Sequence, residues 1–264
     1  MSSPTDGRSN HGRVVIVTGA GSGIGRATVE MLVAEGSHVI AVDLDDASLA
    51  WTQGLDSDVL RVPGSIAEEA TNRAMVAAAV EAHGRLDAVA LNAGIMVSGD
   101  INRGTMEDFD RVMDVNVRGA VLGMKASLPA MGDGGSIVVT GSVSGLRADS
   151  GFFAYNAAKA AVVNLARAAA LDVAHLGIRV NAVCPGPTRT GMMEATDGTP
   201  IQTSMTARVP LQRFADPSEI AAAICFLASP GASFITGVAL PVDGGVTCGT
   251  AQWATYGARK AGFE

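Results

Sequence analysis

Tyr155 and Lys159 lie four residues apart in Phe152-Phe-Ala-Tyr-Asn-Ala-Ala-Lys-Ala-Ala161, an alanine-rich stretch that reads as helix. One turn separates them, so phenol and ammonium project from the same face. A tyrosine alone is a poor acid or base near neutrality, because its unperturbed pKa is about 10. A cation beside it favours the phenolate and draws that pKa toward working range. The same spacing also occurs as a half-buried tyrosine next to a solvated lysine. The pair acquires meaning only from the rest of the chain.

A second constellation sits near the amino terminus. Thr18-Gly-Ala-Gly-Ser-Gly-Ile-Gly25 follows a β-branched run and opens a helical stretch. Glycines there permit a tight turn and let backbone approach a pyrophosphate at the positive helix end. A bare glycine turn is a weak signal; between a strand and a helix, with an acid ending the next strand, it is strong. Asp43 is that acid, eighteen residues past Gly25. Its carboxylate can accept from adenosine ribose hydroxyls and repels a 2′-phosphate, and no Arg or Lys interrupts residues 18–25. These features favour NAD over NADP. The plainer alternative for Asp43 is a solvated loop acid or helix N-cap.

The elements that must position these residues alternate. Strands are expected at residues 13–18, 38–42, 58–62, 86–91, 136–140, 178–183 and 237–241, separated by helical stretches near 23–35, 68–83, 106–131 and 152–175. Alternation of this kind implies right-handed βαβ crossovers and an α/β fold, a doubly wound parallel sheet of seven strands covered on both faces. No linker or repeat divides the chain, so residues 13–264 read as one domain behind a flexible arm at 1–12. One long irregular stretch, about 186–216, carries Met192, Met193 and Met205 among glycines and prolines. It reads as an apolar lid.

Bulk composition narrows the function. Of 264 residues, 48% are hydrophobic and 17% charged, which suits a compact core. The net charge of −7 and the absence of a long Lys/Arg run exclude a nucleic-acid or anionic-membrane partner. No apolar run reaches twenty residues, and the polar amino terminus lacks a secretory h-region. Cys184, Cys225 and Cys248 lack metal spacing and read as reduced thiols of a cytoplasmic protein, with no metal site.

Further motifs fall in a set order. Gly19, Gly23 and Gly25 are followed by Asn92-Ala-Gly94 after the fourth strand, and by Asn116 in Asp-Val-Asn-Val. Then come Ser142, thirteen residues before Tyr155, Lys159, Pro185-Gly186 after the sixth strand, and Ile235-Thr-Gly-Val-Ala-Leu-Pro-Val-Asp-Gly-Gly245. Over residues 13–245 the chain resembles the short-chain dehydrogenase/reductase family. The resemblance implies a Rossmann-type fold, Ser142, Tyr155, Lys159 and Asn116 as catalytic residues, and a homotetramer joined through the long helices. It implies that Gly19, Ser22, Gly23, Ile24, Gly25, Asp43, Ser65, Ile66, Asn92, Ala93, Gly94, Tyr155, Lys159, Pro185, Gly186, Thr188 and Thr190 hold the dinucleotide. Ser144 rivals Ser142, which the thirteen-residue offset favours. Two departures stand out. Ser65 occupies the place of the family's usual Asp near the adenine, and Thr188 that of an apolar residue. The tail at 246–264, with Trp253, Tyr256 and Phe263, is apolar enough to pack on this or a neighbouring subunit.

Together these readings predict hydride transfer between NAD and a small secondary alcohol or ketone. Ser144, Leu146, Phe152, Met192 and Met193 are expected to line a neutral pocket, with Arg147 and Arg189 as the residues able to overturn that neutrality. The alternatives are a 3-oxoacyl-[acyl-carrier-protein] reductase and, more distantly, a non-catalytic dinucleotide-binding regulator.

Overall fold

The computed structural model describes residues 9–55 and 59–249. In chain order the strands are β1 (Val14–Thr18), β2 (His38–Asp43), β3 (Val59–Pro63), β4 (Leu86–Leu91), β5 (Met131–Thr140), β6 (Arg179–Pro185) and β7 (Ala239–Val242). The helices are α1 (Gly23–Ala34), α2 (Asp46–Leu49), α3 (Glu69–His83), α4 (Met106–Met113), α5 (Gly119–Ser127), α6 (Phe153–Val173), α7 (Pro200–Arg208) and α8 (Pro217–Ala228). The strands form one parallel sheet in the order β3-β2-β1-β4-β5-β6-β7.

Both faces of the sheet are covered, which explains the unbroken apolar strands. Because strand side chains alternate, Val14 and Ile16 of β1 join a core with Met75 of α3, Met124 of α5 and Val162 of α6. Val15 and Val17 point the other way, toward Val29 and Leu32 of α1 and Ile220 and Ile224 of α8. Each such fully buried side chain contributes about 1.5–3 kcal/mol relative to exposure. In α6 the buried set Ala154, Ala158, Val162, Ala166 and Ala170 recurs every fourth residue, so alanine lets the helix lie close to the sheet. Asn181 bridges β6 to the approach to β7, donating to Ile235 O (2.8 Å) and accepting from Val238 N–H (3.1 Å).

Strand ends lie within two residues of expectation, with one exception. β5 starts at Met131 because the glycine-rich residues 132–135 bulge out: Leu86 pairs with Met131 while Ala88 pairs with Ser136. The helix expected over 106–131 is two helices joined by one widened turn, Asp114–Arg118, where Gly119 N–H reaches back five residues to Asp114 O. The stretch expected to be irregular contains a 3₁₀ turn at Gly191–Thr196 and α7. Its glycines and prolines stand at the boundaries, with Gly198 at φ +70° and Pro200 opening the helix. α8 follows, with Asp216 and Glu219 forming a capping box.

Within the expected arm, Asn10 is 1% exposed, and its amide donates to Glu35 Oε2 (2.9 Å) and Cys225 O (2.9 Å). Most of that arm, and Trp253, Tyr256 and Phe263 of the tail, lie outside the described residues. Among the described residues no helix is long and apolar enough to cross a membrane.

Candidate active site

Side chains tie the carboxyl ends of β1, β4 and β5 together. Thr18 Oγ1 accepts the N–H groups of Asn92 (3.0 Å) and Ala93 (3.1 Å), the Asn92 amide donates to Thr18 O (3.2 Å), and Thr140 donates to Asn92 Oδ1 (3.0 Å). Strand order reverses between β1 and β4, where an open parallel sheet forms its crevice. Asn92 therefore builds the crevice floor with a side chain already occupied.

On the β1–β2 side the material is backbone. A Cβ on Gly25 would lie 1.9 Å from Gly19 O, and Gly19 itself, at φ +68°, presses on Ala93 Cα, so the turn tolerates no side chain there. Ser22 precedes α1 without a side-chain cap, and the helix has no acid in its first turn. Its first N–H groups therefore lack a side-chain partner at the positive end of the helix dipole, which suits a pyrophosphate beside Gly23 and Ile24. Asp43 stands at the end of β2. Its Oδ2 accepts Gly21 N–H and its Oδ1 accepts Leu44 N–H, both at 2.7 Å, which fixes an anionic acceptor pair where a ribose would lie. The nearby cation of Arg61 faces Asp46 at 3.7 Å. Ser65 accepts Ala67 N–H (3.3 Å), and Ile66 is buried against Gly119. The residues present thus fit a nicotinamide dinucleotide.

On the β5–α6 side the material is side chains. Ser142 follows β5 in extended conformation, and its Oγ accepts Ser144 N–H at 3.1 Å as residues 143–145 turn. A Cβ on Gly145 would sit 2.5 Å from Lys159 O, so only glycine lets this turn touch α6. That contact places Ser142 beside Tyr155. Burial pushes the Tyr155 phenol above its ordinary pKa; the neighbouring Ser142 hydroxyl opposes the rise and the charge of Asp149 adds to it. Lys159 is 5% exposed, and its Nζ donates to Thr140 O at 2.8 Å and lies 5.6 Å from the Tyr155 ring centroid. Burial lowers its pKa to about 8. The downward pull expected from the cation is not what governs the phenol: desolvation leads, and the shift is upward.

Asn116 occupies the widened turn between α4 and α5. Its side chain is locked to Ile95, donating to the carbonyl (2.9 Å) and accepting the N–H (2.7 Å). It still borders the site: a Cβ on Gly94 would be 3.0 Å from Asn116 Oδ1 and 3.3 Å from Lys159 Nζ.

The segment after β6 closes the crevice. Gly186 N–H donates to Val242 O (3.0 Å) just past Pro185, buried Thr188 donates to Gly186 O (2.9 Å), and Thr190 comes within 3.0 Å of where a Cβ on Gly23 would be. A cavity of about 520 Å³ lies between this segment and α1, lined by Gly23, Arg26, Ala27, Thr190 and Met193. Met193 therefore faces the glycine turn, while Met192 is largely exposed. Of the two suspect arginines, Arg189 lines this same cavity. Arg189 pairs with Asp216 (2.6 Å), and Arg147 donates to Thr247 O (3.1 Å) and Gly249 O (2.8 Å).

Sequence reasoning missed several neighbours. Thr18 and Thr140 carry no periodic signal beyond ending strands, and the Asp149–Asn156 contacts depend on loop closure. Cys184 lies behind Ser142, and burial pushes its thiol up to about 11, so it backs the site as an inert group. The arrangement as a whole sets a half-buried phenol, a buried ammonium and a buried hydroxyl on the same side of the crevice.

The chain matches the family model described as enoyl-(acyl carrier protein) reductase over residues 19–247. It is 39% identical to meso-2,3-butanediol dehydrogenase of Serratia marcescens over 248 residues, covering 91% of this chain and 96% of that one. It is 36% identical to levodione reductase of Leifsonia aquatica over 249 residues, covering 88% and 93%. Among solved structures, 3-ketoacyl-(acyl-carrier-protein) reductase from Brucella melitensis complexed with NADH superposes with a TM-score of 0.83 at 33% identity. That match covers 90% of this chain and all of the other.

Proposed function

The chain belongs to the short-chain dehydrogenase/reductase family of oxidoreductases, and from that premise we propose that it transfers hydride between NAD(H) and a small secondary alcohol or ketone. The convergence of Ser142, Tyr155 and Lys159 beside the glycine turn carries this reading. Two similar proteins are named for butanediol oxidation and levodione reduction, both chemistries of a carbinol or carbonyl carbon.

The bound dinucleotide would supply the hydride acceptor or donor at its nicotinamide. Ser142 donates a hydrogen bond to the substrate oxygen and holds it near Tyr155. Tyr155 takes the hydroxyl proton in oxidation and returns it in reduction. Lys159, tethered to Thr140 O, has two further N–H donors for ribose hydroxyls and, when charged, favours the phenolate. Asn116 bounds the same chamber and anchors the Ile95 segment through which a proton path to Lys159 would run. Because the phenol is raised above its ordinary pKa, oxidation gains rate as pH rises and reduction is favoured toward neutrality.

Asp43 supports NAD over NADP, since a fixed carboxylate accepts ribose hydroxyls and repels a 2′-phosphate. The pairing of Arg189 with Asp216 supports a neutral substrate. The 3-oxoacyl-carrier-protein reductase reading retains one specific support, the fold match to a reductase of that name holding NADH. The net charge of −7 counts against an acidic carrier as partner. The reading extends to a cytoplasmic homotetramer: the thiols are unpaired, and Leu171 of α6, Phe226 of α8 and Phe234 stand exposed as apolar contact surface. Light scattering is expected to give a tetramer's mass.

The deciding assay follows nicotinamide absorbance with secondary alcohols, ketones and an acetoacetyl thioester, each with NAD(H) and NADP(H). Alcohol turnover at least tenfold better with NAD supports the reading. Preference for the thioester selects the carrier-protein reductase, and tight NAD binding without turnover selects the regulator.

A further inference from the structure

The helix that carries Tyr155 begins without the usual means of fixing a helix end. α6 opens at Phe152 with no side-chain cap and no acid in its first turn. Its first residue is held instead by the segment that follows β4. Phe153 N–H donates to Gly99 O (3.2 Å) and Gly99 N–H donates to Gly151 O (2.8 Å), an isolated parallel bridge between separate stretches of chain. The same segment is fastened at its other end, where Asn116 grips both backbone groups of Ile95.

Side chains complete the clasp. Asp100 closes a turn over residues 100–104: its O accepts Gly104 N–H (2.8 Å), and its Oδ1 accepts the N–H groups of Asn102 (2.9 Å) and Arg103 (3.0 Å). Gly104 ends that turn against the Phe153 ring. A Cβ there would come 2.8 Å from Cδ1 and 2.9 Å from Cζ, with Cε1 nearer still, so the notch admits only hydrogen. Phe109 of α4 stacks on the same ring, with centroids 6.0 Å apart. Ala154 and Ala158 join Val112 of α4 in a small separate core. Each immediately precedes a functional residue. A helix turns about 100° per residue, so seating these alanines on α4 sets the direction in which Tyr155 and Lys159 project.

We propose that Gly104 is a positioning residue for Tyr155: the notch it leaves seats the Phe153 ring, and that seat fixes the first turn of α6 and with it the place of the phenol in the crevice. What the phenol does there rests on the dehydrogenase reading above. A methyl group at 104 drives the ring, and the helical turn behind it, off the seat. Misplacing a reacting group by about 1 Å costs up to about a hundredfold in rate.

Tyr155 and Tyr256 are the two tyrosines of the chain, so in a Tyr256→Phe background tyrosinate absorbance reports Tyr155 alone. In that background Gly104→Ala is expected to move the alkaline titration midpoint by about half a pH unit toward the ordinary value, as the displaced phenol regains water. It should lower kcat by about tenfold while leaving the Kd for NAD within about twofold. Lys159, Asp149 and Cys184, the charged and titratable groups around the phenol, are unchanged in these variants. Phe153→Leu removes ring atoms that the methyl group would strike. The double variant should therefore recover at least about threefold of the lost kcat and part of the shift. Circular dichroism checks the fold. If Gly104→Ala alone does not fold, Phe153→Leu decides, with a smaller shift and loss of the same sign expected. A folded variant with a lowered Tm but an unmoved midpoint and kcat overturns the proposal, as does a double variant no better than Gly104→Ala. If the unsubstituted protein turns over no alcohol or ketone, the dehydrogenase reading falls, and the titration still decides whether Gly104 places the phenol.

Discussion

On the β1–β2 side of the crevice, recognition is built from backbone: a turn too tight for side chains, uncapped helix amides and one carboxylate pinned by two N–H groups. On the β5–α6 side it is built from side chains, a half-buried phenol and a buried ammonium and thiol, each displaced from its ordinary pKa chiefly by desolvation. The first region can be rigid at little electrostatic cost, because amide donors facing a crevice keep access to water. The second holds reactive groups in a desolvated place, and the fold supports them at a cost. A cofactor cradle needs shape, whereas an acid/base pair needs a tuned environment.

Removing the reactive oxygen should separate the two most sharply. Tyr155→Phe is expected to lower kcat by about a thousandfold while leaving dinucleotide affinity within about twofold. Steady-state kinetics with a parallel fluorescence titration would show it, and retained turnover would remove Tyr155 from its role. The converse change is Gly25→Ala, which forces a methyl group to 1.9 Å from Gly19 O. It should weaken dinucleotide binding by about a hundredfold through the displaced turn, equivalent to roughly 3 kcal/mol. Equilibrium titration measures this, with circular dichroism to confirm the fold.

The smallest effect tests the cost directly. Lys159 falls from the ordinary 10.5 to about 8 on burial, which corresponds to roughly 3 kcal/mol at about 1.4 kcal/mol per pH unit. Lys159→Met should therefore inactivate the enzyme yet raise Tm by roughly 5 °C at pH 7. The sign follows from proton counts. Between pH 8 and 10.5 the unfolded chain holds a proton that the folded chain has released, so native stability rises with pH there. The Tm advantage of the variant should accordingly shrink as pH is raised from 8 toward 10. An advantage that does not change with pH would show that the ammonium is not strained by burial.

Much of this was legible in the chain. The β-branched runs and alternating helices specified the seven-stranded sheet, since a strand buried on both faces has to be apolar throughout. The glycine turn and Asp43 were readable because their chemistry is local: a helix end, a tight turn, a strand end. The spacing of Tyr155 and Lys159 also survives unchanged, being one helical turn. The 3₁₀ turn and α7 within residues 191–208 were not legible, because glycine and proline at element boundaries resemble glycine and proline in a loop.

By itself, then, the amino-acid order determined the parallel sheet and singled out the glycine turn and the Tyr155/Lys159 spacing, whose signals are local in sequence. Only the tertiary structure decided the electrostatics. That Tyr155 rises rather than falls, that Lys159 is tethered to Thr140 and that Arg147 is drawn off to residues 247 and 249 all depend on groups from separate elements meeting in a shared dielectric. Burial and partner geometry set the energy of a charge, and neither exists until the chain has folded.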